Sequence, residues 1–92
     1  MPYIKQPQRR VLDNEPVIDV ANHITLDNIT GEFNYVISTI ASELVQTYGR
    51  SYKVMSAIRA AMNDASDEFY RRVMAPYEDE KIAENGDVYE KA

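Results

Sequence analysis

A chain of 92 residues with no cysteine and one histidine is a single small domain that neither disulfides nor a Cys/His zinc site can hold together. A domain of this size buries only roughly 60% of the surface its unfolded chain exposes, so a partner subunit is the remaining source of stabilisation. The formal net charge of −5 argues against duplex nucleic acid, whose phosphates are met by a broad positive face.

The charge is unevenly spread. Lys5, Arg9 and Arg10 precede the first acid, Asp13, whereas from Tyr77 onward Glu78, Asp79, Glu80, Glu84, Asp87 and Glu90 face only Lys81 and Lys91. No apolar run approaches the ~20 residues of a membrane span, and the opening MPYIKQPQRR lacks the apolar core of a signal peptide. The expected compartment is the cytoplasm, with no membrane partner.

In chain order, Pro2 and Pro7 mark residues 1–12 as an extended arm, because each proline removes a donor and turns the residue before it away from helix. Tyr3 and Ile4 suit packing on the core or on a neighbouring subunit, and Lys5, Arg9 and Arg10 make a basic patch or ordinary ion pairs. A helix is expected over 14–25, with Asp13 or Asn14 as its cap, Pro16 in its first turn and Val17, Val20, Ala21 and Ile24 at three- and four-residue spacing. His23 falls near its end, where the helix dipole favours an imidazolium. No serine, cysteine or second ligand stands at a recognisable distance from His23, so a structural role is preferred to that of a general base.

The clearest periodicity is Phe33, Val36, Ile37, Ile40, Ala41, Leu44, Val45 and Tyr48, which predicts a helix over 30–48 with Thr30 as cap and Gly49 at its C-terminal end. Ser51 then caps a long helix over 51–75, roughly 36 Å at 1.5 Å per residue, which the short connection should lay antiparallel to its predecessor. Met55, Ile58, Met62, Phe69 and Val73, with Ala65 between, recur along one face at spacings that sum to heptads. Ala57, Ala60 and Ala61 let another helix come close. We read Met55, Ile58, Met62, Phe69 and Val73 as an oligomer interface. Pro76 ends or kinks the long helix, a short helix occupies 76–85 with Glu78, Asp79 and Glu80 complementing its N-terminus, and 86–92 is a tail. The fold class is therefore all-α: a three- to four-helix subunit around one long helix, forming a homodimer or higher oligomer.

Phe69, Tyr70 and Tyr77 beside Arg71 and Arg72 make the one dense aromatic and basic cluster. Asp67–Arg71 and Glu68–Arg72 are helical ion pairs four residues apart, each worth about 0.2 to 0.5 kcal/mol, and a solvated salt-bridged face accounts for the charges. Stacking faces next to fork-shaped donors also suit a nucleotide base and phosphate, which makes Tyr70, Arg71, Arg72 and Tyr77 a candidate ligand site. Asp64 and Glu68, four apart, could hold a divalent cation or work as an acid–base pair. There is no HExxH, calcium loop, GxxxxGK[ST], GxGxxG or GxSxG, so metal, nucleotide-hydrolysis and acyl-transfer chemistry lack their usual marks. No catalytic residue, metal site or cofactor is expected.

MPYI at the start, Glu32-Phe33-Asn34-Tyr35, and EFYRRVMAPYEDEKIAENGDVY from Glu68 to Tyr89 resemble a family of small phage and bacterial proteins of unknown function. That family shares MPYI, an E-L-N-Y-like element and a Y-R-R-V-x-A-P-Y-E-D-x-K-x-x-E-N-G-D-V-Y tail. This chain departs from it at Phe33, where leucine is common, in a longer turn before the second helix, and in Glu90-Lys91-Ala92 beyond the shared end. The resemblance implies a phage or prophage setting, in which small oligomeric proteins inhibit host enzymes or sequester host nucleotide signals.

Two functions are expected from different classes. One is a non-catalytic protein that binds an anionic, nucleotide-like ligand at its oligomer interface through Tyr70, Arg71, Arg72 and Tyr77. The alternative is a protein-interaction module whose acidic tail and exposed tyrosines engage a host protein without a small molecule. A phosphodiesterase built on Asp64, Glu68 and a metal is the third and weakest.

Overall fold

The computed structural model describes residues 2–89. Met1 and the tail residues Glu90, Lys91 and Ala92 lie outside the described residues. Among those described the chain is entirely helical: α1 (Gln6–Asp13), α2 (Val17–His23), a 3₁₀ turn (Leu26–Asn28), α3 (Ile29–Tyr48), α4 (Tyr52–Phe69), a π-helical turn (Tyr70–Met74) and α5 (Ala75–Asn85). Residues 2–58 and 59–89 form two units. No described residue of either unit is buried.

In the first unit the extended arm is shorter than expected. Only residues 2–5 precede the first helix, with Lys5 extended, and 6–13 are α1. Pro7 does not prevent this, because it occupies the first turn, where a helix has no use for its missing N–H. Gln8 Oε1 accepts the Lys5 N–H at 3.0 Å and the Arg9 guanidinium Nε donates to the Ile4 carbonyl at 2.8 Å, so two side chains close the entry to the helix. Asp13 and Asn14 consequently end α1 instead of opening the next helix. That helix, α2, starts after Pro16, whose carbonyl accepts from Val20 N–H at 3.1 Å.

His23 Nδ1 lies 2.8 Å from the Asp19 carbonyl oxygen. A carbonyl only accepts, so Nδ1 carries the proton and the ring is held against its own helix. The cap of the following helix also differs from expectation. Thr30 lies inside α3, and the helical run begins one turn earlier at the 3₁₀ turn, where Glu32 Oε1 accepts both the Thr25 N–H at 2.9 Å and the Thr25 hydroxyl at 2.8 Å. The backbone N–H first and the hydroxyl second hold the Glu32 carboxyl below the ordinary glutamate value.

A lowered folded-state value means that this contribution is present above the unfolded glutamate value, about 4.3, and is lost as pH falls through the lower folded one. The amide signal of Thr25 is therefore expected to lose its protection only below about pH 4.3. Glu32→Gln should abolish the dependence, as read by NMR-detected hydrogen exchange across the titration.

α3 ends as its sequence dictates. Gly49 has φ 93 and ψ 161, and its N–H reaches the Val45 carbonyl at 2.7 Å, a conformation accessible to glycine and costly for residues bearing a Cβ. Ser51 opens α4, its hydroxyl oxygen accepting from Val54 N–H at 3.2 Å. Val36, Ile37, Ala41 and Val45 on α3, and Val54 and Ile58 on α4, are half-covered. The main close backbone contact between elements of this unit is that of the 3₁₀ turn against α3.

In the second unit Pro76 neither ends nor breaks the helix. A proline at this position cannot donate to Arg72, and its ring would crowd the Arg72 carbonyl. The backbone answers by widening one turn ahead of it: Ala75 N–H donates to the Tyr70 carbonyl, five residues back, which is the π pattern. Helix therefore continues without interruption from Tyr52 to Asn85.

Candidate functional site: an acidic groove behind a π turn

The apolar residues expected to form a seam lie on α4 and the π turn, and all are exposed or only half-covered. Met55 is 41% exposed and Ile58 half-covered at the end of the first unit; in the second, Met62 is 41%, Phe69 56% and Val73 53% exposed.

The π turn sets the register between Tyr70 and the start of α5. In a regular α-helix residues eight apart are offset by about 80° at 3.6 residues per turn. The wider turn takes up part of that offset and brings Tyr70 over Glu78. Hydrogen bonding to the Glu78 carboxylate is the main reason the Tyr70 phenol is held above its ordinary value; the negative charges of Glu78 and, less, Asp79 act in the same direction.

Past α5, Gly86 takes φ 89 with its N–H on the Ile82 carbonyl at 2.8 Å. The chain is then fixed by Tyr89 N–H donating to Asp87 Oδ1 at 2.9 Å. Between this segment and α5 lies an open groove of about 510 Å³ whose walls include Tyr70, Tyr77, Ile82, Val88 and Tyr89. Its charged lining is Glu78, Asp79 and Asp87 against Lys81. Lys81 is already engaged, with its Nζ 3.2 Å from Glu84 and 5.4 Å from the Tyr77 ring centre.

The four candidate ligand residues thus divide. Tyr70 and Tyr77 share the groove, whereas Arg71 and Arg72 are not among its lining residues. The ion pairing also differs from the expected pattern: Glu68 takes Arg71, three residues on, with Nε 2.7 Å from Oε1. Glu68 is thus held by Arg71, and Asp64 has a partner of its own. Among the described residues no three His, Asp or Glu side chains come together to hold a metal ion, and no helix is long and apolar enough to cross a membrane. The groove itself escaped the sequence, although its signals, the glycine at 86, the Asx-type Asp87 and the tyrosines at 77 and 89, were all present.

No curated protein and no solved structure shows detectable similarity to the chain. A family model does: it matches residues 1–88 and is described as a domain of unknown function, DUF6899. The match spans nearly the whole chain, so the protein belongs to the DUF6899 family.

Proposed function

We propose that this chain is a non-catalytic interaction protein that works as a helical homo-oligomer, with Met55, Ile58, Met62, Phe69 and Val73 as its subunit seam. One observation carries the reading: no described side chain is buried, although these apolar residues recur in the sequence at helical spacing. Burying each would contribute roughly 1.5 to 3 kcal/mol. A heptad-spaced stripe beside Ala57, Ala60 and Ala61 is matched in spacing by the same stripe of a second copy. The acidic, tyrosine-rich C-terminal unit is then the part that meets other proteins, which favours the interaction module over the small-molecule reading.

If folding and assembly are one step, the melting temperature depends on protein concentration. Thermal melts followed by circular dichroism over a hundredfold concentration range are expected to shift upward by several degrees. A midpoint independent of concentration would contradict the reading.

An anionic, nucleotide-like ligand remains a second reading on one observation. Arg72 has no ion-pair partner among the described residues and adjoins Arg71 on the turn that carries Tyr70. Such a ligand would be met by the guanidinium groups outside the groove, since the groove's carboxylates repel it. Calorimetry with cyclic and ADP-ribose-type nucleotides, at concentrations that keep the oligomer intact, should give heat that Arg72→Gln abolishes. Absence of heat with every nucleotide would remove this reading and leave the interaction module.

A further inference from the structure

We infer that the acidic, tyrosine-walled groove of residues 70–89 is the docking site for the N-terminal segment Pro2–Arg10 of a second copy of this chain. The inference rests on the self-assembly reading and adds to it a second contact, remote in sequence from the apolar seam.

Two halves of the molecule carry it. The groove brings the carboxylates of Glu78, Asp79 and Asp87 together with the rings of Tyr70, Tyr77 and Tyr89. The one cation among its described lining residues, Lys81, is turned to Glu84 at 3.2 Å. The groove therefore presents net negative charge on an aromatic surface. At about 510 Å³ it falls within the size of sites that take a ligand, roughly 300–1,000 Å³.

The N-terminal segment has the complementary character. Lys5, Arg9 and Arg10 precede every acid in the chain, and none of the three has an ion-pair partner among the described residues. Arg9 spends its Nε on the Ile4 carbonyl at 2.8 Å, leaving the rest of its guanidinium available. Tyr3 and Ile4 are exposed beside them. Lys5 has φ −66 and ψ 150, the polyproline II conformation, and Arg9 and Arg10 follow it on α1.

Extended, proline-flanked segments in that conformation dock into aromatic-lined grooves at little entropic cost, because the ligand is already ordered. Carboxylates at the rim then select a basic segment over a neutral one. In a two-fold assembly the exchange is reciprocal: each copy gives its N-terminal segment and receives its partner's.

Reversing charge on each side separately, and then on both, tests this. Lys5→Glu with Arg10→Glu is expected to weaken self-association about tenfold or more in low salt, read by sedimentation velocity, and Asp79→Lys with Asp87→Asn, which keeps the Oδ1 acceptor for the Tyr89 N–H, should do the same. Neither set touches Tyr70 or Glu78, and circular dichroism reports whether helix is retained. The chain carrying all four changes is expected to return to within about threefold of the unmodified strength. Full-strength association of either two-residue variant would overturn the docking while leaving the seam intact. Loss that the four-residue variant does not rescue would overturn it as well, pointing to simple damage or to a basic segment of another protein as the occupant. Rescue seen in a species that sediments as a monomer would overturn docking between copies. If the unmodified chain is itself monomeric, the seam fails too, and Met62→Asp will be without effect on mass.

Discussion

Met62→Asp combined with Phe69→Asp is expected to weaken self-association by at least about 100-fold and to leave the chain monomeric at micromolar concentration. Both side chains sit on the heptad face, 41% and 56% exposed in the single chain, so aspartate at either position costs the lone helix little beyond intrinsic propensity, under about 0.7 kcal/mol. In a closed seam each substitution removes roughly 1.5 to 3 kcal/mol of apolar burial and places a carboxylate where it cannot be paired. Two such losses correspond to a factor of about 100 or more in the dissociation constant. Met62→Leu, which keeps volume and apolarity, should associate normally. Light scattering on the three proteins checks this, and an aspartate double variant with unchanged mass would move the interface away from this face.

Pro76→Ala is expected to stabilise the helix while dismantling the groove. Proline within a helical run costs about 3 kcal/mol, and alanine restores a donor that can reach the Arg72 carbonyl. The π turn at Tyr70–Met74 then has no cause to persist, and the run from Tyr52 to Asn85 closes into regular α-helix. Tyr70 and Glu78 separate by the offset the π turn had absorbed, and their hydrogen bond breaks.

A phenol held above its ordinary value contributes stability that is present below about pH 10 and is lost as pH rises through the higher folded-state value. That late-titrating tyrosine should be visible in an ultraviolet tyrosinate titration of the native protein and should disappear in Pro76→Ala and in Glu78→Gln. A rise in melting temperature together with loss of the late phase is the expected result for Pro76→Ala. Persistence of the late phase would mean that the π turn is fixed by something other than Pro76.

The regularities that survive in the structure are those written as local periodicity and punctuation. The stripe from Phe33 to Tyr48, Gly49 after it and Ser51 at the next cap located α3 and the start of α4 to within a residue or two, because backbone propensity, side-chain spacing and capping chemistry all point the same way there. α1 was hidden because Pro7 looks like a breaker unless the helix starts just before it, and its start there is set by a pair of side-chain bonds from Gln8 and Arg9. The π turn was illegible for a related reason. Pro76 announces a defect, but whether the chain ends, kinks or widens depends on what the turns on either side can accept.

Of the candidate ligand residues, adjacency in sequence was a poor guide. Tyr70 and Arg71 are neighbours along the chain yet point to different sides of the π turn. Only the tyrosine, with Tyr77 seven residues further on, lines the groove. The groove's negative charge was visible as the run of acids after Tyr77, but its concavity comes from the path the chain takes after Gly86, which composition does not reveal.

Native mass spectrometry of the unmodified protein tests self-assembly most directly. The chain is 10.6 kDa. A species at twice that mass or a higher whole multiple, retained on dilution to low micromolar concentration, is the result expected for subunits that close one another's apolar seam. A single species at 10.6 kDa that still melts cooperatively would contradict it.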